Sequence, residues 1–178
     1  MKIAQVLIVV TLLFLVACQS NEVFVKPYEG ESLRLAVVGE VPEVREEQVT
    51  FTSLSLDEVV ELRPHEYNAV LIKEGYLAEA AEQKYVDMYK EKDVPFFFVK
   101  SKALAIPFQD IENLVSYEEQ ATRVDDTGHY ISGLYYVGKE QGYKSWEFSY
   151  TIEDDEYKRD DVEGVYSQLF QVIEEQSG

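Results

Sequence analysis

The sequence is poor in the residues that form disulfides and metal cages. Its 178 residues include one cysteine and two histidines. A single cysteine cannot form an intramolecular disulfide, and two histidines without further thiols do not supply the ligand set of a structural zinc site. The sequence therefore predicts neither a disulfide framework nor a metal centre, and we expect no cofactor.

Positive charge is also scarce, with 16 basic residues against 34 acidic residues and a net charge of −18. Binding to a nucleic-acid backbone requires clustered lysine and arginine, so the composition argues against a nucleic-acid partner. The hydrophobic content of 46% is ordinary for a globular protein. The length suits one domain with a substantial core.

The longest hydrophobic run stands at the start of the chain. Ile3 to Ala17 is interrupted only by Gln5 and Thr11, and it follows the positively charged start Met1-Lys2. A membrane-spanning helix needs about 20 apolar residues, so this run is short for that role. Its length and its charged start are typical of a signal peptide.

The run ends in Leu15-Val16-Ala17-Cys18, which resembles the lipobox of bacterial lipoproteins. In that family the cysteine receives a diacylglyceryl group and the peptide is cut before it. The resemblance implies that residues 1–17 are a signal peptide and that lipidated Cys18 holds the protein on the extracytoplasmic face of the cell membrane. An ordinary signal peptide cut elsewhere, or a single membrane anchor, is the alternative.

The predicted lipid anchor has consequences for the rest of the chain. Loss of residues 1–17 removes one lysine and no acid, which leaves a net charge of −19. Such a chain gains nothing from an anionic membrane surface, so we expect the lipid alone to hold it there. Residues 18–32, with Pro27 and Gly30 and no helical period, are predicted to be the lipidated N-terminus and a tether. Residues 33–178 form the predicted domain.

Short apolar runs alternate with helical patterns in the first half of this domain. Strands are expected at Leu35–Val38, Val49–Thr52, Ala69–Ile72 and Pro95–Val99, and helices from Pro42, from the Ser55/Glu58 capping box, and over Leu77–Met88. This alternation predicts a mainly parallel sheet with helices on both faces. The stretch from Tyr67 to Ser101 resembles one βαβ unit of a flavodoxin-like domain and one lobe of the bilobal solute-binding proteins.

The second half has a different pattern. A helix is expected over Asp110–Thr122, with Ile111, Leu114 and Val115 as its apolar stripe. Two strands, Tyr130–Val137 and Tyr143–Ile152, are expected to pair as an antiparallel hairpin, and a last helix is expected from about Asp160. The fold class is thus a single three-layer α/β domain of flavodoxin-like strand order, with an antiparallel hairpin at its C-terminal edge and a C-terminal helix.

Ligands of open parallel sheets bind outside the carboxyl ends of the strands. Those ends carry Glu40, Lys73, Glu74 and Lys100, which are the candidate residues for a small anionic ligand. The alternative is that these charged residues only return the chain to solvent. No glycine-rich phosphate loop follows any of the strands.

Three other groups of residues are candidate sites. Tyr130 and Tyr136 share the predicted face of Ser132 and are candidates for a partner surface. His129 after Asp125-Asp126 could form an acid–base pair or a metal site, or the segment could be a turn. The acids of residues 153–163 could hold calcium, or they could be a solvated surface.

The sequence contains no Gly-x-Ser-x-Gly motif, and its lone cysteine is assigned to the lipid. We therefore expect a non-enzymatic binding or accessory module of the cell envelope, whose partner is an envelope protein or a small ligand. The alternative is a small-ligand receptor or an enzyme of flavodoxin-like form, with its site at the carboxyl ends of the parallel strands.

Overall fold

A computed structural model describes residues 25–111, 115–125, 127–138 and 142–177. The predicted signal peptide, Cys18 and the first part of the tether lie outside the described residues. The elements of the described residues follow in this order: β1 (Leu33–Val38), β2 (Val49–Leu54), α1 (Leu56–Val60), β3 (Ala69–Ile72), α2 (Leu77–Ala80), α3 (Gln83–Glu91), β4 (Phe96–Val99), α4 (Tyr117–Arg123), β5 (His129–Tyr136), β6 (Tyr143–Ser149), β7 (Thr151–Glu153), β8 (Glu156–Lys158) and α5 (Glu163–Ser177).

Six of these strands form one sheet in the order β2-β1-β3-β4-β5-β6. The neighbours among β2, β1, β3 and β4 are parallel, whereas β5 is antiparallel to β4 and to β6. This topology confirms the predicted α/β domain with a mainly parallel sheet, an antiparallel hairpin at its C-terminal edge and a C-terminal helix. The first four strands follow the flavodoxin-like order, and β5 departs from it by running antiparallel.

The two faces of the sheet are covered differently. On one face α1, α2 and α3 pack over the apolar side chains, including Val70, Ile72 and Phe98. On the other face α5 packs over a cluster that includes Leu71 and Phe97. The β1–β2 connection crosses the sheet in the opposite direction to the β2–β3 and β3–β4 connections. Right-handed crossovers of opposite direction lie on opposite faces, so the β1–β2 connection shares the face of α5.

The helix predicted from Pro42 in that connection is wrong. Residues 40–48 contain no helix, because the side chains of this segment bind α5 and the N-terminal residues instead. Glu46 is 4% exposed, and its Oε1 accepts hydrogen bonds from the Tyr28 amide at 3.1 Å and from the Ser167 hydroxyl. Tertiary contacts of this kind leave no periodic pattern in the sequence.

The helix predicted over Leu77–Met88 is interrupted. Ala81 caps α2, and Glu82 has extended backbone angles, φ −65° and ψ 145°, before α3 begins. The Tyr89 hydroxyl donates a hydrogen bond to the Ala80 carbonyl at 2.8 Å. This bond satisfies a carbonyl group at the interruption. The capping box of Ser55 and Glu58, by contrast, begins α1 as predicted.

The strand predicted over Tyr143–Ile152 ends early. The chain leaves β6 at Ser149, the Tyr150 amide donates to the Gly128 carbonyl at 2.9 Å, and β7 pairs with β8 in a separate hairpin. Phe148 and Tyr150 are buried as their alternation predicted, but Ile152 is 58% exposed. The alternation of apolar and polar residues in the sequence therefore continues beyond the end of the strand.

Two predicted helix starts are also displaced. The helix expected from Asp110 begins at Tyr117, after an N-cap in which the Ser116 hydroxyl accepts from the Glu119 amide. Ile111 is exposed, and Leu114 of the predicted stripe lies outside the described residues. The last helix begins at Glu163 and not at Asp160.

The residues Val25–Ser32, which we call the N-terminal segment, were predicted to be tether but pack along α5. Tyr28 of this segment is 7% exposed. The Arg45 Nη2 atom donates to the Val25 carbonyl at 2.8 Å, and the Glu31 amide donates to Glu174 Oε1 at 2.7 Å. The N-terminal segment therefore belongs to the folded domain.

Candidate ligand site at the carboxyl ends of the parallel strands

A cavity of about 570 Å³, here called the rim cavity, lies at the carboxyl ends of β3 and β4. Its lining residues are Glu74, Lys100, Ser101, Lys102, Val124, Asp125, Thr127, His129, Tyr150 and Arg159. The volume falls within the range of small-molecule sites, which is roughly 300–1,000 Å³. Two of the four rim residues predicted from the sequence, Glu74 and Lys100, line this cavity.

Lys100 lies at the end of β4 with a left-handed backbone, φ 59°. Its amide donates to the Tyr130 carbonyl at 2.7 Å, and the next residue, Ser101, donates its hydroxyl to the Leu104 carbonyl at 2.6 Å. A left-handed conformation costs about 1–2 kcal/mol for a residue with a Cβ atom. Strained backbone of this kind concentrates at ligand sites, where the surrounding structure holds it in place.

Lys73 and Glu40 stand beside this turn. Lys73 is half-buried, and its Nζ atom donates to the Tyr166 hydroxyl at 3.4 Å. Burial lowers the pKa of Lys73, the neighbouring charge of Lys100 lowers it further, and Glu40 opposes the shift. Lys73 is therefore near enough to Lys100 and Glu40 for both charges to affect its pKa.

The rim cavity concentrates positive charge in an acidic protein. Lys100, Lys102 and Arg159 face two lining carboxylates, Glu74 and Asp125. Within the described residues, the ammonium groups of Lys100 and Lys102 have no hydrogen-bond or ion-pair partner. The Arg159 guanidinium is instead fixed against aromatic rings, 4.9 Å from the centroid of Tyr150. Two lysines are thus available to an acidic ligand.

His129 lines the rim cavity, but it does not form the acid–base pair considered from the sequence. Its Nδ1 atom is buried, and in the part of the chain that the structure describes it has no hydrogen-bond partner. Asp125 lines the same cavity without bonding to it, and Asp126 lies outside the described residues. We assign the proton of the neutral ring to Nε2, because a proton on Nδ1 would be buried without an acceptor.

Tyr130 and Tyr136 do not form a common partner surface. Tyr130 is only 6% exposed, and its hydroxyl lies 3.5 Å from that of Tyr166 on the α5 face. Tyr136 is partly buried against the opposite face, where its hydroxyl accepts from the Asp110 amide at 3.1 Å. A register shift between His129 and Ile131 separates the two tyrosines. The prediction was wrong because a bulge changes which face a side chain occupies.

Sequence reasoning missed the wall that Tyr150 and Arg159 contribute. These residues flank the β7–β8 hairpin, which folds back over the start of β5. A Cβ atom on Gly128, whose φ is 68°, would collide with the Tyr157 ring. This close approach brings the hairpin beside the cavity. The wall forms because the strand ends before Tyr150. The sequence did not predict this end, because apolar and polar residues alternate without a break through Tyr150.

The acidic tract of residues 153–163 contributes a turn to this hairpin. Asp154 and Asp155 have φ values of 51° and 63°, and they connect Glu153 to Glu156. Positive φ at both central residues is what a type I′ hairpin requires, and aspartate tolerates it. Among the described residues, no group of three or more His, Cys, Asp or Glu side chains is placed to hold a metal ion.

We find no match to this chain among protein-family models, curated proteins or solved structures. Over the described ranges, no helix combines the length and the apolar character needed to cross a membrane.

Proposed function

We propose that this chain is a lipid-anchored, extracytoplasmic binding module whose rim cavity holds a small ligand with a phosphate or carboxylate group. The observation that carries the ligand class is the pair of unpartnered ammonium groups, Lys100 and Lys102, in a cavity of about 570 Å³. The lipobox pattern Leu15-Val16-Ala17-Cys18 supports the anchor.

The donors around the cavity suit an acceptor-rich ligand. Two lysines, one arginine and the assigned Nε2 proton of His129 can donate, whereas an acidic ligand supplies several acceptor oxygens. Glu74 and Asp125 limit the net positive charge. A ligand that also carries an ammonium or hydroxyl group would satisfy these carboxylates, so we favour small polar acids over bare inorganic anions.

Binding is favoured over catalysis by the hydrogen bonding of Ser101, a hydroxyl-bearing lining residue that follows β4. Ser101 is 5% exposed, and its hydroxyl donates to the Leu104 carbonyl at 2.6 Å. His129 Nδ1 has no carboxylate partner within the described residues to orient the ring. A hydroxyl activated by an oriented base is the usual signature of nucleophilic catalysis, and this arrangement differs from it.

The ligand proposal is tested by thermal-shift and calorimetric screening of the protein against phosphate, sugar phosphates and small dicarboxylates, with uncharged sugars as controls. A ligand present at 100 times its Kd should stabilise the fold by about 2.7 kcal/mol. Lys100→Ala and Lys102→Ala should each weaken binding about tenfold, because each removes a charge-assisted contact.

Lys84→Ala is the matched control, because Lys84 is an exposed lysine on α3 that does not line the rim cavity. Its affinity should remain that of the wild type. Equal affinities of wild-type protein and both rim variants for every responding acid would contradict the proposed site.

The anchor is tested separately by Cys18→Ser. Loss of the thiol removes the site of lipid attachment, so the variant should be released from the membrane or remain unprocessed. Membrane fractionation and mass measurement report the result. Unchanged processing and full membrane retention would contradict lipidation at Cys18.

A further inference from the structure

The chain enters the folded domain beside the amino end of α5. A Cβ atom built on Gly164, the second residue of α5, would lie 3.0 Å from the Cβ atom of Val25. Val25 is the first residue that the structure describes, and Arg45 holds its carbonyl oxygen at 2.8 Å. The residues that link Cys18 to the described domain therefore join it at this point.

The amino end of α5, where Val25 lies, is at the rim, the edge of the sheet formed by the carboxyl ends of the parallel strands. Near its amino end, the Tyr166 hydroxyl lies 3.4 Å from the Nζ atom of Lys73, which directly follows the carboxyl end of β3. At its carboxyl end, Ser177 accepts from Asn68, which directly precedes β3, at 3.3 Å. The 15 residues of α5 span about 22 Å between these ends.

The N-terminal segment runs in the same direction. From Val25 at the rim it reaches Glu31, whose amide donates to Glu174 near the other end of α5. Tyr28 is held between these points by Glu46 and by Gln48, whose Nε2 atom donates to the Tyr28 carbonyl at 2.7 Å. The segment thus returns the chain to the start of β1, and its first residue remains at the rim.

We infer that the rim is the end of the domain that faces the membrane, so that the rim cavity opens toward the lipid headgroups. This inference rests on the lipid anchor of the proposed function. Cys18 precedes Val25 by seven residues, which span at most about 25 Å. If the opposite end of the domain faced the membrane, the residues between Cys18 and Val25 would have to run along the whole of α5, which is roughly 22 Å long. Only a fully extended chain would permit it.

The exposed surface of the rim suits this position. Val41 and Tyr76 are each 43% exposed. A Cβ atom on Gly39 would lie 3.0 Å from both the Tyr76 ring and Lys73 Cβ, so an exposed aromatic ring stands directly beside a lysine. Tyrosine and lysine are residues that tolerate the boundary between water and lipid headgroups.

The hairpin that carries the acidic Asp154–Asp155 turn follows the rim end of β6, which pairs with the start of β5. Together with the net charge of −19, it opposes close contact with anionic lipid. The rim therefore faces the headgroup layer without inserting into it. In this position the cavity meets solutes that pass along the membrane surface.

The orientation is tested with two single-cysteine labels on the lipidated, membrane-attached protein. Tyr76→Cys marks the rim, and Tyr143→Cys, at the opposite end of the sheet with 50% exposure, is the matched control. Energy transfer from a thiol-linked donor to acceptor-labelled headgroups should be at least about twofold more efficient at position 76, because a six-residue strand separates the ends by about 20 Å.

Flotation of each labelled protein with the vesicles is measured first. Failure to float would overturn the anchor and this inference together. Flotation with equal transfer at the two positions, or greater transfer at position 143, would overturn the orientation alone. Insertion of ten Gly/Ser residues after Asn21 should reduce the difference between the labels, because a longer tether frees the domain to turn.

Discussion

The Glu46 cluster, which consists of Tyr28, Arg45, Glu46 and Ser167, and the rim cavity both bring charged side chains together in an acidic protein. In the Glu46 cluster the carboxylate accepts hydrogen bonds from the Tyr28 amide, the Ser167 hydroxyl and the Arg45 side chain. In the rim cavity, by contrast, the ammonium groups of Lys100 and Lys102 have no such partner among the described residues.

The charged groups of the Glu46 cluster stabilise the fold, whereas the ammonium groups of the rim cavity are available to a ligand. Removing a charge from water is unfavourable unless hydrogen bonds or an opposite charge compensate it. In the Glu46 cluster this compensation reaches Oε1, whereas Oε2 is buried without a hydrogen-bond partner among the described residues. The bonds to Oε1 fix the N-terminal segment to α5. The rim cavity leaves its lysines to solvent or to a bound acid, and it holds Lys100 in a strained backbone as well.

The largest expected effect follows from removal of the buried carboxylate. Glu46→Ala should lower the free energy of unfolding by about 3 kcal/mol, because it removes the acceptor of the buried Tyr28 amide and one acceptor each of Ser167 and Arg45. Urea denaturation measures the change. Glu47→Ala, at the exposed neighbouring residue, should stay within about 0.5 kcal/mol of wild type. A similar loss in both variants would remove the distinction between the two regions.

A smaller effect is expected at the strained turn. Lys100→Gly should be about 1 kcal/mol more stable than Lys100→Ala, because glycine adopts φ 59° without the Cβ penalty. Both variants should lose affinity for an acidic ligand equally. Both variants lack the lysine charge, so the difference between their free energies of unfolding does not include the effect of losing that charge. A more stable alanine variant would show that the turn is not strained.

The pH dependence of stability should report the desolvation of Lys73. Its pKa in the folded state is lowered from the ordinary value of 10.5, so between these two values the unfolded state binds more protons. The free energy of unfolding should therefore rise with pH in that window, and Lys73→Met should remove this contribution. Urea titrations at pH 7 and pH 9.5 test it. Parallel pH profiles of variant and wild type would contradict it.

The smallest effect on stability is expected at Lys102. Because its ammonium has no partner within the described residues, Lys102→Ala should change the free energy of unfolding by less than about 0.5 kcal/mol. A loss above 1 kcal/mol in urea denaturation would show that the rim lysines, like the Glu46 cluster, hold the fold.

Local patterns in the sequence were sufficient for the parallel half of the fold. Apolar runs such as Ala69–Ile72 and the Ser55/Glu58 capping box specify strands and a helix start through interactions among neighbouring residues. The same reasoning located Lys73 and Lys100 at the ends of adjacent strands. Because parallel strands end at one edge, the charge of Lys100 acts on Lys73 in the structure.

The remaining features depend on contacts between distant parts of the chain. The N-terminal segment packs on α5 through Glu46, the bulge before Ile131 moves Tyr130 to the α5 face, and the interruption at Tyr150 builds the cavity wall. Each involves partners more than fifteen residues apart in sequence. Periodicity within a window could not reveal them, so the cavity wall formed by Tyr150 and Arg159 was not predicted.

Chemical-shift mapping tests the central claim most directly. Amide resonances of the protein would be followed during titration with the acid that gives the largest thermal shift. The account predicts that the perturbed amides cluster at residues 100–102, 124–129, Tyr150 and Arg159. Perturbations confined to the smaller cavity of about 210 Å³ around Leu62–Tyr67 and Glu91–Val94, or no perturbation by any acid, would contradict it.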